Sequence, residues 1–230
     1  VFMEVKIMKI EIEKIIRSKR KTIALQITDN ATLIVKAPLE TNEEVINKVI
    51  TKHLRWIEKK KNEVLSRDPQ FTKKEFLNGE GFLYLGKSYK LYIVNEQDMP
   101  LKFDNAYFLL KDYQPMAKQL FINWYKEKAY EKISERVQWY ARKRGFTYNK
   151  ISITDANIRW GSCSPKGNLN FSWRLIMAPL SVIDYVVVHE LAHLEQKNHS
   201  KAFWNIVKML LPDYEKSKDW LKNNGYLFKI

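Results

Sequence analysis

The run VVVHELAHLEQKNHS, residues 186–200, constrains this chain more than any other stretch. Val186–Val188 predicts a buried helix, and on a helix His189 and His193 lie one above the other on the same face. Two imidazoles at that spacing can share one metal ion, and Glu190 lies close enough to act on a water at that ion. The chain has four histidines, and three fall within the eleven residues 189–199; the fourth, His53, lies in a lysine-rich segment. A fold that uses this run must bury the helix yet keep its histidine face open to a substrate. The run therefore points to a zinc-dependent hydrolase.

A hydrolytic zinc site keeps three protein ligands and leaves the fourth position to water. The ion lowers the pKa of that water and polarises the scissile carbonyl. A carboxylate then takes the proton and delivers it to the leaving amine. Glu190 suits that role; Glu195 is also nearby, but its position gives it no comparable one. His199 is the natural third ligand. It stands six residues after His193, so the helix must end between them and the chain must fold back. Where related patterns use glycine for that turn, this chain has Gln196, and Asn198 is the residue best suited to a left-handed conformation. The alternative is a downstream acid, Asp213 or Glu215.

At 230 residues, 45% apolar and 13% aromatic, the chain suits one large or two small globular domains. No segment approaches the roughly 18 uninterrupted apolar residues of a membrane helix. The charged N-terminal stretch does not read as a secretory signal. The lone Cys163 excludes an internal disulfide framework, so a cytoplasmic location is expected. Net charge is +14, of which the first 150 residues carry +11 and the last 80 carry +3. The basic clusters include Arg17-Lys19-Arg20-Lys21, Lys59-Lys60-Lys61 and Arg142-Lys143-Arg144. Such a surface attracts polyanions such as nucleic acid, although lysine-rich faces are commonly just solvated. Trp56, Trp124, Trp139, Trp204 and Trp220 sit mostly at helical spacing with other apolar residues, so core packing is expected of them rather than base stacking.

Alternating polarity predicts strands at Lys9–Ile16, Thr22–Thr28 and Ala31–Lys36, with a turn at Asp29-Asn30. Thr41 with Glu44 forms a capping box for a helix to about Ser66. Residues 67–80 read as a loop. Hairpins follow at Phe82–Val94 and Leu101–Leu110, then a long helix opened by Pro115 and ended by Gly145. Ile151–Ile153 and Leu169–Trp173 read as strands joined by a turn-rich segment. Ser181 and Ser200 are candidate caps for the next two helices, the second stopped by Pro212. These elements predict an α+β protein: a strand-rich N-terminal region with one long helix, 1–112, then a second domain, 113–230, with a small antiparallel sheet over the histidine helix.

Three stretches, RWGSCSPKGNLNFSWRLIMAP, VIDYVVVHELAHLEQKNHS, and the later FW and PDY, closely resemble the YgjP-like metallopeptidase family (DUF45), which is related to the SprT-like and WLM minimal zincins. RSKRKTIALQIT, APLETNEEVINKVI and LGKSYKL fit as well, so the resemblance covers nearly the whole chain. It implies a zinc metallopeptidase acting on a peptide or protein, with the metal on His189, His193 and His199 and with Glu190 as general base and acid. It places Trp160–Cys163 in the strand-turn-strand before the active helix, where an edge strand aligns a peptide substrate. Residues 168–173, or the strand before the turn, are candidates for that edge. Arg159, Arg174 or Tyr214 could serve the oxyanion. Cys163 is expected to be inert. By analogy with the SprT-like relatives, a protease docked on nucleic acid through the basic N-terminal region is an alternative, as is a binding protein with a structural zinc.

Overall fold

The computed structural model describes residues 11–28, 30–66 and 74–230. The chain divides into two compact units, 1–69 and 70–230.

In the first unit, strands β1 (Ile12–Ser18), β2 (Ala24–Ile27) and β3 (Leu33–Pro38) form one sheet with β3 in the middle. β2 and β3 make the expected antiparallel hairpin, although Asp29 of the expected turn lies outside the described residues. β1 runs parallel to β3. Strict alternation on β3 buries Leu33, Val35 and Ala37. These residues meet Ile46, Ile50 and Ile57 in a small core of the unit's own. The helix expected to run unbroken to Ser66 is two helices, α1 (Glu43–Lys52) and α2 (Leu54–Leu65), divided at His53. Asn42, not Thr41, caps α1, its side chain accepting from the Val45 amide at 3.0 Å.

The second unit begins with a four-stranded sheet in the order β4-β5-β7-β6: β4 (Gly81–Tyr84), β5 (Lys87–Val94), β6 (Leu101–Phe103) and β7 (Tyr107–Leu110). Both expected hairpins are present, joined by parallel pairing of β5 with β7. The first turns through Leu85 and Gly86, both at positive φ, as a tight two-residue connection demands. Its tip donates from the Leu85 and Gly86 amides to the carbonyls of Ile176 and Met177, at 2.8 and 3.0 Å.

Pro115 lies in a short 3-10 turn, and α3 follows over Ala117–Arg144. At 28 residues α3 is about 42 Å long. Phe121, Tyr125, Ala129, Ile133 and Val137 form its buried stripe, and Gly145 ends it in the expected left-handed conformation. Phe121 stacks on Phe82 of β4, and Tyr125 stacks on Trp173, which precedes the histidine helix. The expected division near residue 112 therefore falls inside one continuous core, which runs from Phe76 to Phe228. Side chains that look like local strand pattern in sequence are here packed against α3.

A three-stranded sheet follows, ordered β8-β10-β9: β8 (Lys150–Thr154), β9 (Gly161–Cys163) and β10 (Asn168–Ser172). β10 is parallel to β8 and antiparallel to β9, so the sheet is mixed rather than wholly antiparallel. Helix α4 (Leu180–Glu195) carries the histidine run, and α5 (Lys201–Leu210) and α6 (Tyr214–Asn224) pack beside it. Pro179, not Ser181, stands at the start of α4; Ser200 caps α5 as expected, accepting from the Phe203 amide. The architecture is α+β, as the pattern of elements predicts. Among the described residues no helix is long and apolar enough to cross a membrane.

Candidate metal centre

Helix α4 is apolar nearly all round, and Val182–Val188 and Glu190–Ala192 are buried. A helix of that kind belongs in the interior. Two bidentate arginine–carboxylate pairs tie it to α3. Arg136 donates to both Asp184 oxygens, at 2.5 and 3.0 Å. Arg144 donates to both Glu195 oxygens, at 3.2 and 3.0 Å. The pairs flank the histidines on both sides, so the rigid α3 rod holds the site-bearing segment of α4. Glu195 is thereby engaged structurally, in keeping with its lack of a chemical role.

α4 stops at Glu195 because Gln196 turns extended, at φ −124° and ψ 106°. This is the glycine-free turn. Asn198 is not left-handed, and Gln196 makes the break instead. The Gln196 carbonyl then accepts from His193 Nδ1 at 2.9 Å, which holds the ring in place and leaves Nε2 as its ligand atom. Six residues after His193 the chain has come back far enough to place His199 Nε2 3.0 Å from His189 Nε2. Phe203 is the buried floor of the group, with ring centroids 4.9, 4.6 and 4.8 Å from His189, His193 and His199. Trp204 stacks on His199 at 5.9 Å and on Tyr214 at 5.3 Å.

One ligand atom from each of His189, His193 and His199 lies within 4.8 Å of the others, and this trio could hold a metal ion. Asp213 and Glu215, the alternative third ligands, are not in the group. The donor set fits a zinc-type ion. Two nitrogens bound to one ion at about 2.0–2.1 Å and a tetrahedral angle stand about 3.3 Å apart, close to the His189–His199 separation. His189 Nδ1 is buried with no hydrogen-bond partner. With Nδ1 buried and Nε2 turned to His199, Nε2 is the atom His189 offers to an ion. Burial, with His193, His199 and Lys218 nearby, pushes His189 down to about 3, so the ring is neutral and its lone pair available. Burial chiefly lowers His199 too.

Glu190 is 5% exposed and sits under β9. Burial raises its carboxyl to about 8, against the downward pull of Arg159. It lines a cleft of about 320 Å³ with Trp160, Gly161, Tyr185, His189, Lys218 and Lys222. β9 is the edge strand above it, and β10 (residues 168–172) lies in the middle of the sheet and has no free edge. Of the two candidate edges read from the sequence, the strand before the turn has the required place. A second depression, about 210 Å³, lies across Gly161 and includes Arg159, Ser162 and Asn170.

Of the oxyanion candidates, Arg174 is committed elsewhere: it bonds Asp155 at 2.7 Å and lies over the Trp173 ring. Arg159 stands near Glu190, and Tyr214 stacks on Tyr185. Sequence reasoning missed Tyr185, although its spacing of four before His189 puts it on the histidine face. Burial raises its hydroxyl to about 12, so it is a proton donor at neutral pH. Cys163 lies half-buried on β9 with its thiol raised by burial, and it is outside the histidine group.

The model for YgjP-like metallopeptidase domains matches residues 21–224. The chain belongs to that family and is a metallopeptidase. Among solved structures it is similar to the metallopeptidase zymogen of Pyrococcus abyssi abylysin, at 19% identity and TM-score 0.36, over 39% of this chain and 90% of that one. It is likewise similar to the zymogen of Methanocaldococcus jannaschii jannalysin, at 20% identity and TM-score 0.34, over 39% and 91%. No curated protein matches the sequence.

Proposed function

We propose that this metallopeptidase is zinc-dependent, with His189, His193 and His199 as ligands and Glu190 as general base and acid. The observation that carries the reading is the convergence of three imidazoles beside the buried Glu190 carboxyl, which lines a cleft. When bound, zinc supplies a Lewis acid for the scissile carbonyl and lowers the pKa of water. Glu190 takes the proton of the attacking water and passes it to the leaving amine, and its raised pKa suits both halves of that transfer. β9 pairs with the substrate backbone by strand addition, which holds the scissile bond over Glu190. Tyr185 or Arg159 donates to the oxyanion.

A purely structural zinc is less well supported. Such sites are closed by four protein ligands. Among the described residues the His/Cys/Asp/Glu group here has three members, and its remaining side faces the cleft.

The test is Glu190→Gln in zinc-loaded protein. Zinc stoichiometry should hold while turnover on unstructured peptides falls by about 10²–10⁴, the usual contribution of a positioned base. Full activity in that variant would remove Glu190 from the mechanism.

A further inference from the structure

We infer that the cleft selects substrates bearing a carboxylate close to the scissile bond, read by Lys218 and Lys222 on one side and by Arg159 on the other. The inference rests on the peptidase reading and adds the substrate class.

Lys218 and Lys222 are one helical turn apart on α6, so they project from the same face. Both line the cleft that holds His189 and Glu190. The acids of the same helix, Glu215 and Asp219, are outside that lining. Lys218 is also held in place, with its ammonium 4.7 Å from the centre of the Trp204 ring, which in turn stacks on His199. A cation–π contact of this kind fixes a lysine head that would otherwise sample many rotamers. Its charge is close enough to act on His189 and His199.

Arg159 approaches from the opposite side. It belongs to the loop between β8 and β9, lines the depression across Gly161, and acts electrostatically on Glu190. Within that loop Ile158 is 97% exposed. Three other arginines of this unit are matched to acids: Arg136 to Asp184, Arg144 to Glu195 and Arg174 to Asp155. No ion pair within 4.0 Å is formed by Arg159, Lys218 or Lys222 among the described residues. Glu190 is the one acid that lines the cleft with Lys218 and Lys222, and its part is in the chemistry rather than in an ion pair. Three cations without acidic partners, two lining the cleft and one the adjoining depression that shares Gly161, form a site for an anion that comes with the substrate. Peptides carry two carboxylates that could fill it, an aspartate or glutamate side chain and a free C-terminus.

The experiment uses zinc-loaded full-length protein and matched fluorogenic peptides. These carry Glu, Gln or Lys at each position flanking the cleaved bond, each made as a C-terminal amide and as a free acid. At low salt the Glu peptide should exceed its Gln counterpart about fivefold in kcat/KM at one or more flanking positions. The advantage should shrink in about 1 M salt, where the screening length falls to about 3 Å. A gain confined to the free acids would instead assign the cations to a C-terminal carboxylate. Lys218→Glu/Lys222→Glu should invert the ratio in favour of the Lys peptide, and Lys218→Arg/Lys222→Arg should restore it. Lys87→Glu/Lys90→Glu on β5 makes the same change in net charge away from the cleft lining and should keep the wild-type ratio.

Equal rates for acidic and neutral peptides, with amide and acid ends alike, would overturn the inference. So would an equal loss of preference in both reversed-charge doubles, which would trace it to net charge. Cleavage of any peptide that Glu190→Gln abolishes keeps the peptidase reading standing whatever the charge preference. If no peptide is cleaved, fluorescence anisotropy of the same peptides on zinc-loaded Glu190→Gln protein reads the preference directly, and flat affinities overturn it.

Discussion

Gly161 and Glu190 face each other with no room for a methyl group between them. A Cβ placed on Gly161 would lie 2.6 Å from both Cγ and Oε1 of Glu190. The glycine is therefore required by the side chain above which β9 passes. Its φ is not in the left-handed region, so the constraint is purely one of space. Trp160 fixes the strand on one side of it: its ring packs against Gly225 and sits edge-on to Phe228, 5.4 Å between centroids. On the other side Ser162 and Cys163 pair with Asn170 and Leu169 of β10. Gly161→Ala should push the Glu190 carboxylate out of place while leaving the histidines alone. The expected outcome is full zinc stoichiometry with kcat/KM reduced about a hundredfold, in line with the loss from a misplacement of about 1 Å. Wild-type kinetics in that variant would mean that Glu190 yields freely and that the contact has no catalytic meaning.

Metal should stabilise the fold as well as supply chemistry, because the three imidazoles come together only in the native chain. At zinc a hundredfold above its dissociation constant, mass action adds about 2.7 kcal/mol. For a chain of this size that corresponds to about 5–10 °C in Tm. Chelation should reverse the shift, and His193→Ala should remove both the shift and the bound zinc. His199→Ala separates the remaining possibilities for the third ligand: unchanged zinc content there would return the role to a downstream acid such as Asp213.

The histidine face was legible in the sequence because a helical spacing of four is local geometry, and α4 delivers it. The hairpins, the long helix and the Ser200 cap were legible for the same reason. What failed was long-range. The parallel pairing of β1 with β3 and of β8 with β10 depends on partners distant in sequence. So does the single core that α3 makes with β4–β7 across the expected boundary. The cap of α1 slipped by a residue, Asn42 for Thr41, as two adjacent polar residues can each accept the same kind of bond. Trp124, Trp204 and Trp220 pack on the core as expected, but Trp139 is 47% exposed with Arg136 and Lys143 over its ring. The basic clusters are partly engaged within the fold. Arg17 bonds the carbonyls of Leu39 and Thr41, Lys60 pairs with Glu63, and Arg144 holds Glu195. Lys218 and Lys222 drew no attention in sequence because nothing there places α6 beside α4.

The Arg136–Asp184 pair should dominate the stability of the α3–α4 packing. Both side chains are largely buried, 16% and 11% exposed, and the bond is bidentate. Asp184→Ala strands the guanidinium, and breaking a buried pair by removing one partner costs about 3 kcal/mol. Chemical denaturation should show a loss of that size, with zinc stoichiometry retained in the folded protein. Replacing both partners, Arg136→Met with Asp184→Leu, should recover most of it. A loss below about 1 kcal/mol in the single variant would show that solvent reaches Arg136 and that the pair does not clamp the helix.

Asp155 gives the fold a defined acid sensitivity. Its Oδ1 accepts from the indole N–H of Trp173 and from Arg174, each at 2.7 Å. The indole bond first, and then the arginine, hold the carboxyl below the usual carboxylate range. A carboxyl whose folded pKa is depressed contributes stability that is fully present above the unfolded pKa, about 3.9, and is lost as pH falls through the folded value. The Asp155 side chain is 65% exposed, so the ion pair itself contributes little. The larger part is the buried indole donor, since Trp173 is only 1% exposed and Asp155→Ala would leave its N–H without this acceptor. That variant should cost about 1–2 kcal/mol at neutral pH. Asp155→Asn, which keeps an acceptor oxygen, should cost less. Urea unfolding from pH 7 to pH 3 should show the gap between wild type and Asp155→Asn constant down to about pH 5 and closing below about pH 4. A gap that stays constant to pH 3 would mean that the carboxylate charge contributes nothing to holding Trp173, and with it the turn that leads into α4.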